Sequence, residues 1–287
     1  MRFHQHIDLL LRFDRGLALQ QAIGTLVTRG SIVIDAGAGS GFLSVLAAKA
    51  GAKRVWAVDI APLDGAAALA RANGFEINCV RADLNSWQPS ERADVLIAMV
   101  YFNDPRRDIA QSRMVNDLAT RVLKDDGRVL PDRVTYSAAL MEWPEQDYPT
   151  RTDRLWKNIE TIGSRYRIEA SPLAHLALSE PDPAWFPARL PSGALSRASA
   201  RTLSEETHAW ETRYGPAADA VPAGITLRAV RPGIANAVVW TQRLWSGDTL
   251  IFSNESVSWL RLPRSVRPEE TIELPLDAQW HSANVLG

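Results

Sequence analysis

The chain of 287 residues is 46% hydrophobic and 23% charged, with a formal net charge of −1, enough apolar material for two domains of ordinary size. So balanced a charge gives no global attraction to nucleic acid or to an anionic membrane, and the arginines lie scattered among acids, as on a solvated surface. A single cysteine, Cys79, excludes an internal disulfide and a thiolate zinc cluster, and no metal site is expected.

The N-terminal stretch "MRFHQHIDLLLRFDRGLALQQAI" carries charges throughout, so it does not read as a signal peptide. No run approaches the roughly 18 apolar residues of a membrane span. The expected setting is the cytoplasm. Apolar residues recur at three- and four-residue steps from Ile7 to Ile23, which predicts an amphipathic helix in an N-terminal segment, residues 1–24.

Strands and helices then alternate. "SIVIDAG" reads as a strand, "FLSVLAAKAG" as a helix, "RVWAVDI" as a second strand and "LDGAAALARANG" as a helix stopped by Asn73-Gly74. "FEINCVRAD" is the third strand and "ADVLIAMV" the fourth, followed by a helix through "SRMVNDLATRVLKDDG" and then "RVLPDRV". This spacing predicts an α/β fold: a Rossmann-like, mostly parallel sheet with flanking helices over residues 25–140. After Glu142 short runs such as "ANAVVWTQRLW", "DTLIFSN" and "VSWLRLP" are separated by Pro and Gly, predicting an antiparallel, β-barrel-like domain over 141–287. "LSEPDPAWFPARLPSG" reads as a long connection between the two textures.

The first strand runs into "DAGAGSGF". Gly37, Gly39 and Gly41 allow a tight turn and close approach of a ligand, at a helix start expected to present unpaired N–H groups. The spacing is G-x-G-x-G, not the G-x-G-x-x-G of dinucleotide enzymes. Asp35, just ahead of the loop, would repel a pyrophosphate and accept from an ammonium group. Asp59, ending the second strand, can accept from both ribose hydroxyls. Asp83, ending the third, can accept from an exocyclic adenine amine. Ammonium, ribose and adenine in that order describe S-adenosylmethionine.

The sequence resembles the class I S-adenosylmethionine-dependent methyltransferases, and within them the protein arginine methyltransferases. "FLSVLAAKAGAKRVWAVD" looks like that family's helix and second strand, and "LKDDGRVLPDRVTYSAALME" like the end of its nucleotide-binding half. "HIDLLLRFDR" matches its His…Arg spacing, so the resemblance makes Arg15 the partner of the cofactor's carboxylate and places His6 near it. With Asp35, Gly37, Ala38, Gly39, Gly41, Asp59, Ile60, Asp83 and Ala98, this is the expected cofactor set. The family's β-barrel second domain and its usual homodimer are implied too, with residues 145–170 as a dimerisation segment.

The departures bear on substrate. Family members grip a guanidinium with two glutamates in the loop after the fourth strand. Here that loop is "IAMVYFNDPRRDIAQ", with Met99 at the first position and only Asp108, or Asp104, to replace the second. The family's acid three residues before the cofactor arginine is Arg12, and its Thr-His-Trp loop appears as "SVSW", with Ser258 for His beside Trp259. A buried guanidinium needs paired carboxylates. The sequence therefore points to N- or O-methylation of a small molecule or modified peptide, as in a tailoring enzyme of natural-product biosynthesis. Asp104 and Asp108 are the candidates for removing a proton or orienting the acceptor, Tyr101 and Asn103 for positioning it, and His6 for a catalytic part beside the cofactor. Several of the ten tryptophans would line the pocket. The alternatives are arginine or free-guanidine methylation using Asp104 and Asp108, and a non-catalytic cofactor-binding scaffold.

Overall fold

The computed structural model describes residues 10–102, 104–143, 160–165, 167, 169, 171, 185–188, 200–214 and 222–276. The apolar run before the glycines forms β1 (Ile32–Ala36), buried at every position. A strand apolar on both faces belongs inside a sheet covered on both sides. It lies there: β2 (Arg54–Asp59), β3 (Asn78–Arg81), β4 (Ala93–Ile97) and β5 (Leu123–Leu130) complete a parallel sheet ordered β3-β2-β1-β4-β5. The order reverses between β1 and β4, and ligands of such sheets bind at the carboxyl ends of the strands flanking that reversal. Asp35, Asp59 and Ile97 stand at those ends.

Four helices flank this sheet in the sequence: α1 (Phe13–Leu26), α2 (Phe42–Lys49), α3 (Asp64–Ala72) and α4 (Pro105–Val122). The first helix begins at Phe13, later than its periodicity suggests, and runs on to Leu26, burying Leu19, Ala22 and Ile23. The helix expected through "LKDDG" ends at Val122. Buried Leu123 pairs with Ala93 and Arg128 with Val95, so residues 124–127 bulge out of β5 with their charges in solvent.

The β-rich half begins with β6 (Arg133–Glu142). β7 (Trp185–Ala188), β8 (Arg201–Thr202), β9 (Thr207–Arg213), β11 (Gly233–Ser246) and β12 (Thr249–Val266) join it in an antiparallel sheet ordered β7-β12-β11-β6-β8, with β9 also on β6. β10 (Gly224–Arg228) and β13 (Thr271–Pro275) form a separate pair. The fold is thus the expected parallel α/β sheet followed by an antiparallel half. Part of the presumed connection, Trp185–Ala188, is a strand because it pairs with Val257–Leu260 of β12.

One apolar cluster runs from Leu19 and Val33 through Ile97 and Ile109 to Tyr136, Trp210 and Trp240, so the two halves share a core. Trp210 stacks on Tyr136 with ring centroids 4.9 Å apart. Trp143, Trp210 and Trp240 are buried core residues, not the pocket lining expected of them.

Candidate active site

Gly37, Gly39 and Gly41 all adopt left-handed backbone, with φ of 72°, 52° and 75°. A Cβ at Gly37 would meet Val100 Cγ1 at 2.6 Å, so the glycine loop and the start of the acceptor loop touch. The loop amides are not free, as had been expected. Gly37 and Ala38 donate to the Val58 carbonyl, Gly41 to that of Ala38, and Gly39 to Asp59 Oδ2 at 2.9 Å. With those donors used and a carboxylate on the loop, this is a poor phosphate cradle. It suits a ligand that donates.

Asp35 lies beneath the loop rather than in the open: it is 2% exposed, and Ser44 Oγ donates to its Oδ2 at 2.6 Å. Burial pushes its carboxyl up to about 6, partly offset by the Ser44 hydrogen bonds. Its direct role is to tie β1 to the first turn of α2, so any contact with an ammonium group would need the loop to open. Ser44→Ala is expected to cost about 2 kcal/mol at pH 8, where the lost bond is charge-assisted, and about 1 kcal/mol at pH 5. Denaturant unfolding at the two pH values measures the difference.

Asp59 accepts from Gly39 and, through Oδ1, from the Ala61 amide at 2.8 Å. Each oxygen retains a lone pair for a hydroxyl. Ile60 beside it is 68% exposed, an apolar surface at the strand end. Asp83 is exposed and accepts from the Asn85 backbone and side-chain nitrogens, both at 2.9 Å. Sequence reasoning missed what holds its turn. Arg121 of α4 donates to the carbonyls of Leu84 and Trp87, each at 2.7 Å. Ala38 and Ala98 are buried, and Ala98 N–H continues the sheet by donating to Leu130 O. Arg15 stands on the first turn of α1 with its pKa lowered by burial and then by Arg12.

The acceptor loop departs most from expectation. Asp108 is fully buried, with no part exposed. Its Oδ1 accepts from Phe102 N at 2.7 Å, and its Oδ2 from Tyr136 Oη at 2.5 Å and Gln242 Nε2 at 2.7 Å. Gln242 Nε2 also reaches Tyr136 Oη at 2.8 Å. Burial, with Asp104 adding, pushes the Asp108 carboxyl up to about 7 against these hydrogen bonds. A carboxylate so enclosed cannot meet an acceptor; it pins the loop and α4 to β6 and β11. Asp104 caps α4: its carbonyl accepts from Asp108 N and its Oδ1 faces Arg107 N at 3.4 Å, ahead of Pro105 at the first helical position. Tyr101 is half-buried against the shared core, and its buried hydroxyl has no hydrogen-bond partner among the described residues. Met99 packs on that core too. Ser258 is buried beneath Trp240 Nε1, which donates to it at 3.0 Å, so it does not stand in for a cleft histidine. His6, Asn103 and most of 145–170 lie outside the described residues, as does the Trp259 side chain.

Two surface depressions lie along α3, of about 650 and 340 Å³. Neither is lined by a predicted site residue, and neither enters the chemistry.

Superposition on known structures decides the fold. The chain aligns with the Trypanosoma brucei PRMT1 enzyme–prozyme heterotetrameric complex with AdoHcy at a TM-score of 0.64 and 17% identity, over 94% of this chain and 86% of that one. It aligns equally with Arabidopsis thaliana protein arginine methyltransferase 10, at a TM-score of 0.64 and 18% identity, over 96% and 88%. The chain has the arginine-methyltransferase fold. Residues 17–127 also match the family described as Ribosomal protein L11 methyltransferase (PrmA). In sequence the chain is 32% identical over 142 residues to the uncharacterized protein MJ1452 of Methanocaldococcus jannaschii, covering 48% of this chain and 54% of that protein. It is 29% identical over 168 residues to protein arginine N-methyltransferase 1 of Oryza sativa, covering 55% and 41%. These matches span about half the length of the relatives concerned. Within the arginine-methyltransferase fold, the parallel half of this chain is of the S-adenosylmethionine-dependent methyltransferase type.

Proposed function

We propose that the chain is an S-adenosylmethionine-dependent methyltransferase whose acceptor is a nitrogen or oxygen of a small molecule or modified peptide, not a guanidinium. The observation that carries the substrate half is the enclosure of Asp108. With Met99 in place of one acid and Asp108 spent on Phe102, Tyr136 and Gln242, the described acceptor loop offers no pair of open carboxylates.

The cleft residues fit the cofactor. The left-handed glycines leave room that a Cβ would fill, Asp59 keeps acceptor capacity for a diol, and exposed Ile60 offers an apolar surface to a flat base. Asp83 and Arg15 complete the set, for the base amine and the carboxylate. When bound, S-adenosylmethionine supplies a methyl group activated by its sulfonium charge. What the chain must add is geometry, since aligned donor and acceptor recover much of the barrier. The Asp108 pin does this by fixing the backbone at Phe102. Asp104, half-buried at the start of α4, is the described carboxylate of the loop still placed to orient an acceptor or take its proton.

The arginine-methyltransferase relatives favour a second reading, methylation of arginine in proteins. Calorimetric titration of AdoHcy-loaded protein with an arginine-glycine peptide, and with phenols and amines, separates the two. Binding of a phenol or amine with no response to the peptide is expected. Binding of the peptide alone overturns the small-molecule reading. A protein that binds AdoHcy but transfers no labelled methyl group to any extract metabolite is a scaffold.

A further inference from the structure

Arg12 and Arg15 converge on one aromatic ring of the β-rich half. The Arg12 guanidinium carbon lies 4.4 Å from the Phe252 ring centroid, that of Arg15 5.8 Å. Arg12 Nη1 also donates to Asn254 Oδ1 at 3.4 Å. Phe252 itself is buried. Neither guanidinium has an acid within ion-pair distance among the described residues, and the only acid acting on Arg15 is its chain neighbour Asp14. Two partly dehydrated cations beside each other are unfavourable. Cation–π contact returns only about 0.5–2 kcal/mol for each and neutralises neither. Helix α1, which carries the pair, packs on α2, the helix leaving the glycine loop, and on β12. The two charges therefore stand where the cofactor half meets the antiparallel half.

One carboxylate, that of the cofactor, accounts for Arg15. Arg12 is left over. We infer that the methyl acceptor carries a carboxylate, held by Arg12 beside Asn254. This deepens, and rests on, the methyltransferase reading. It adds a sign: an acceptor of negative charge, at the place where relatives that bind guanidinium carry an acid. The ring of Phe252 holds the Arg12 guanidinium by one face, leaving its edge donors for a two-point contact with a planar anion.

The test uses three phenols that differ only in charge: 4-hydroxybenzoate, 4-hydroxybenzamide and 4-hydroxybenzylamine. Each is titrated calorimetrically into the full chain saturated with AdoHcy, for wild type, Arg12→Gln and Arg12→Lys, with thermal melts confirming that all three proteins are folded. The carboxylate is expected to bind at least tenfold more tightly than the amide, and the amine most weakly. Arg12→Gln should erase the preference and Arg12→Lys restore part of it. The inference is overturned if the three bind alike, if the amine binds best, or if none binds at millimolar concentration. It is also overturned if Arg12→Gln weakens AdoHcy by the factor it takes from the benzoate, since both arginines would then serve the cofactor. Failure of wild type to bind AdoHcy would instead strike the methyltransferase reading itself.

Discussion

Asp108→Ala is expected to destabilise the chain by about 4 kcal/mol, because three donors lose their acceptor in a dry interior and each costs about 1–3 kcal/mol unless it relaxes. Asp108→Asn should be milder, since the Gln242 amide can rotate to offer its oxygen to the new amide. Its value lies in pH. The folded carboxyl sits at about 7 because burial outweighs the hydrogen bonds from Phe102 and Tyr136, whereas an unfolded aspartate titrates near ~3.9. Between those values the folded chain holds a proton that the unfolded chain releases. Stability from this group is therefore complete below about pH 4, declines as pH rises, and is lost once pH passes 7. Asp108→Asn lacks this slope. The stability difference between wild type and variant, from denaturant unfolding at pH 4 to 8, should shift against wild type up to pH 7 and then level off. A constant difference would mean that three donors keep Asp108 ionised throughout, and the pin would then be an ordinary buried carboxylate.

That pin also marks where the sequence stopped being readable. Asp108 follows Asp104 by one helical turn, and from the chain alone both look like acids on an acceptor loop. The partners that bury Asp108 are Tyr136 and Gln242, 28 and 134 positions away, and no local pattern announces them. Asp104 was readable another way: Asp before Pro at the start of a periodic run is a helix-start signal. The parallel half was legible because each strand is a short apolar run bounded by turn residues, and residues 124–127 misled only because a bulge let charges sit inside a strand assignment. The glycine loop was legible in its conformation but not in its bonding. Its amides are met by Val58 and Asp59 on the adjacent strand, and parallel register is not written in spacing. In the β-rich half the runs predicted strands, but which tryptophans were core depended on pairings such as Trp240 with Ala138.

The other large effect is expected at Gly41. It is the cap of α2, in left-handed conformation, and a Cβ there would lie 2.5 Å from Ala66 Cβ and 2.8 Å from Ala66 Cα. Gly41→Ala thus combines backbone strain of about 1–2 kcal/mol with overpacking of about 1–3 kcal/mol against helix α3, near 3 kcal/mol together. The two terms separate. Ala66→Gly removes the obstructing methyl at its own cost of about 1 kcal/mol of helix propensity, while leaving the strain at position 41 untouched. In the double variant the loss should be less than the sum of the singles by about 1–2 kcal/mol, a coupling that only direct contact produces. Cofactor affinity should follow a different course. Whatever turns the backbone at Gly41 also moves Gly39, whose amide is held by Asp59, so AdoHcy binding should fall at least tenfold in Gly41→Ala. Relief of the clash should restore stability more fully than affinity, because the strained turn remains at the mouth of the site. Equal recovery of both would place the effect in packing alone and remove the loop from cofactor binding.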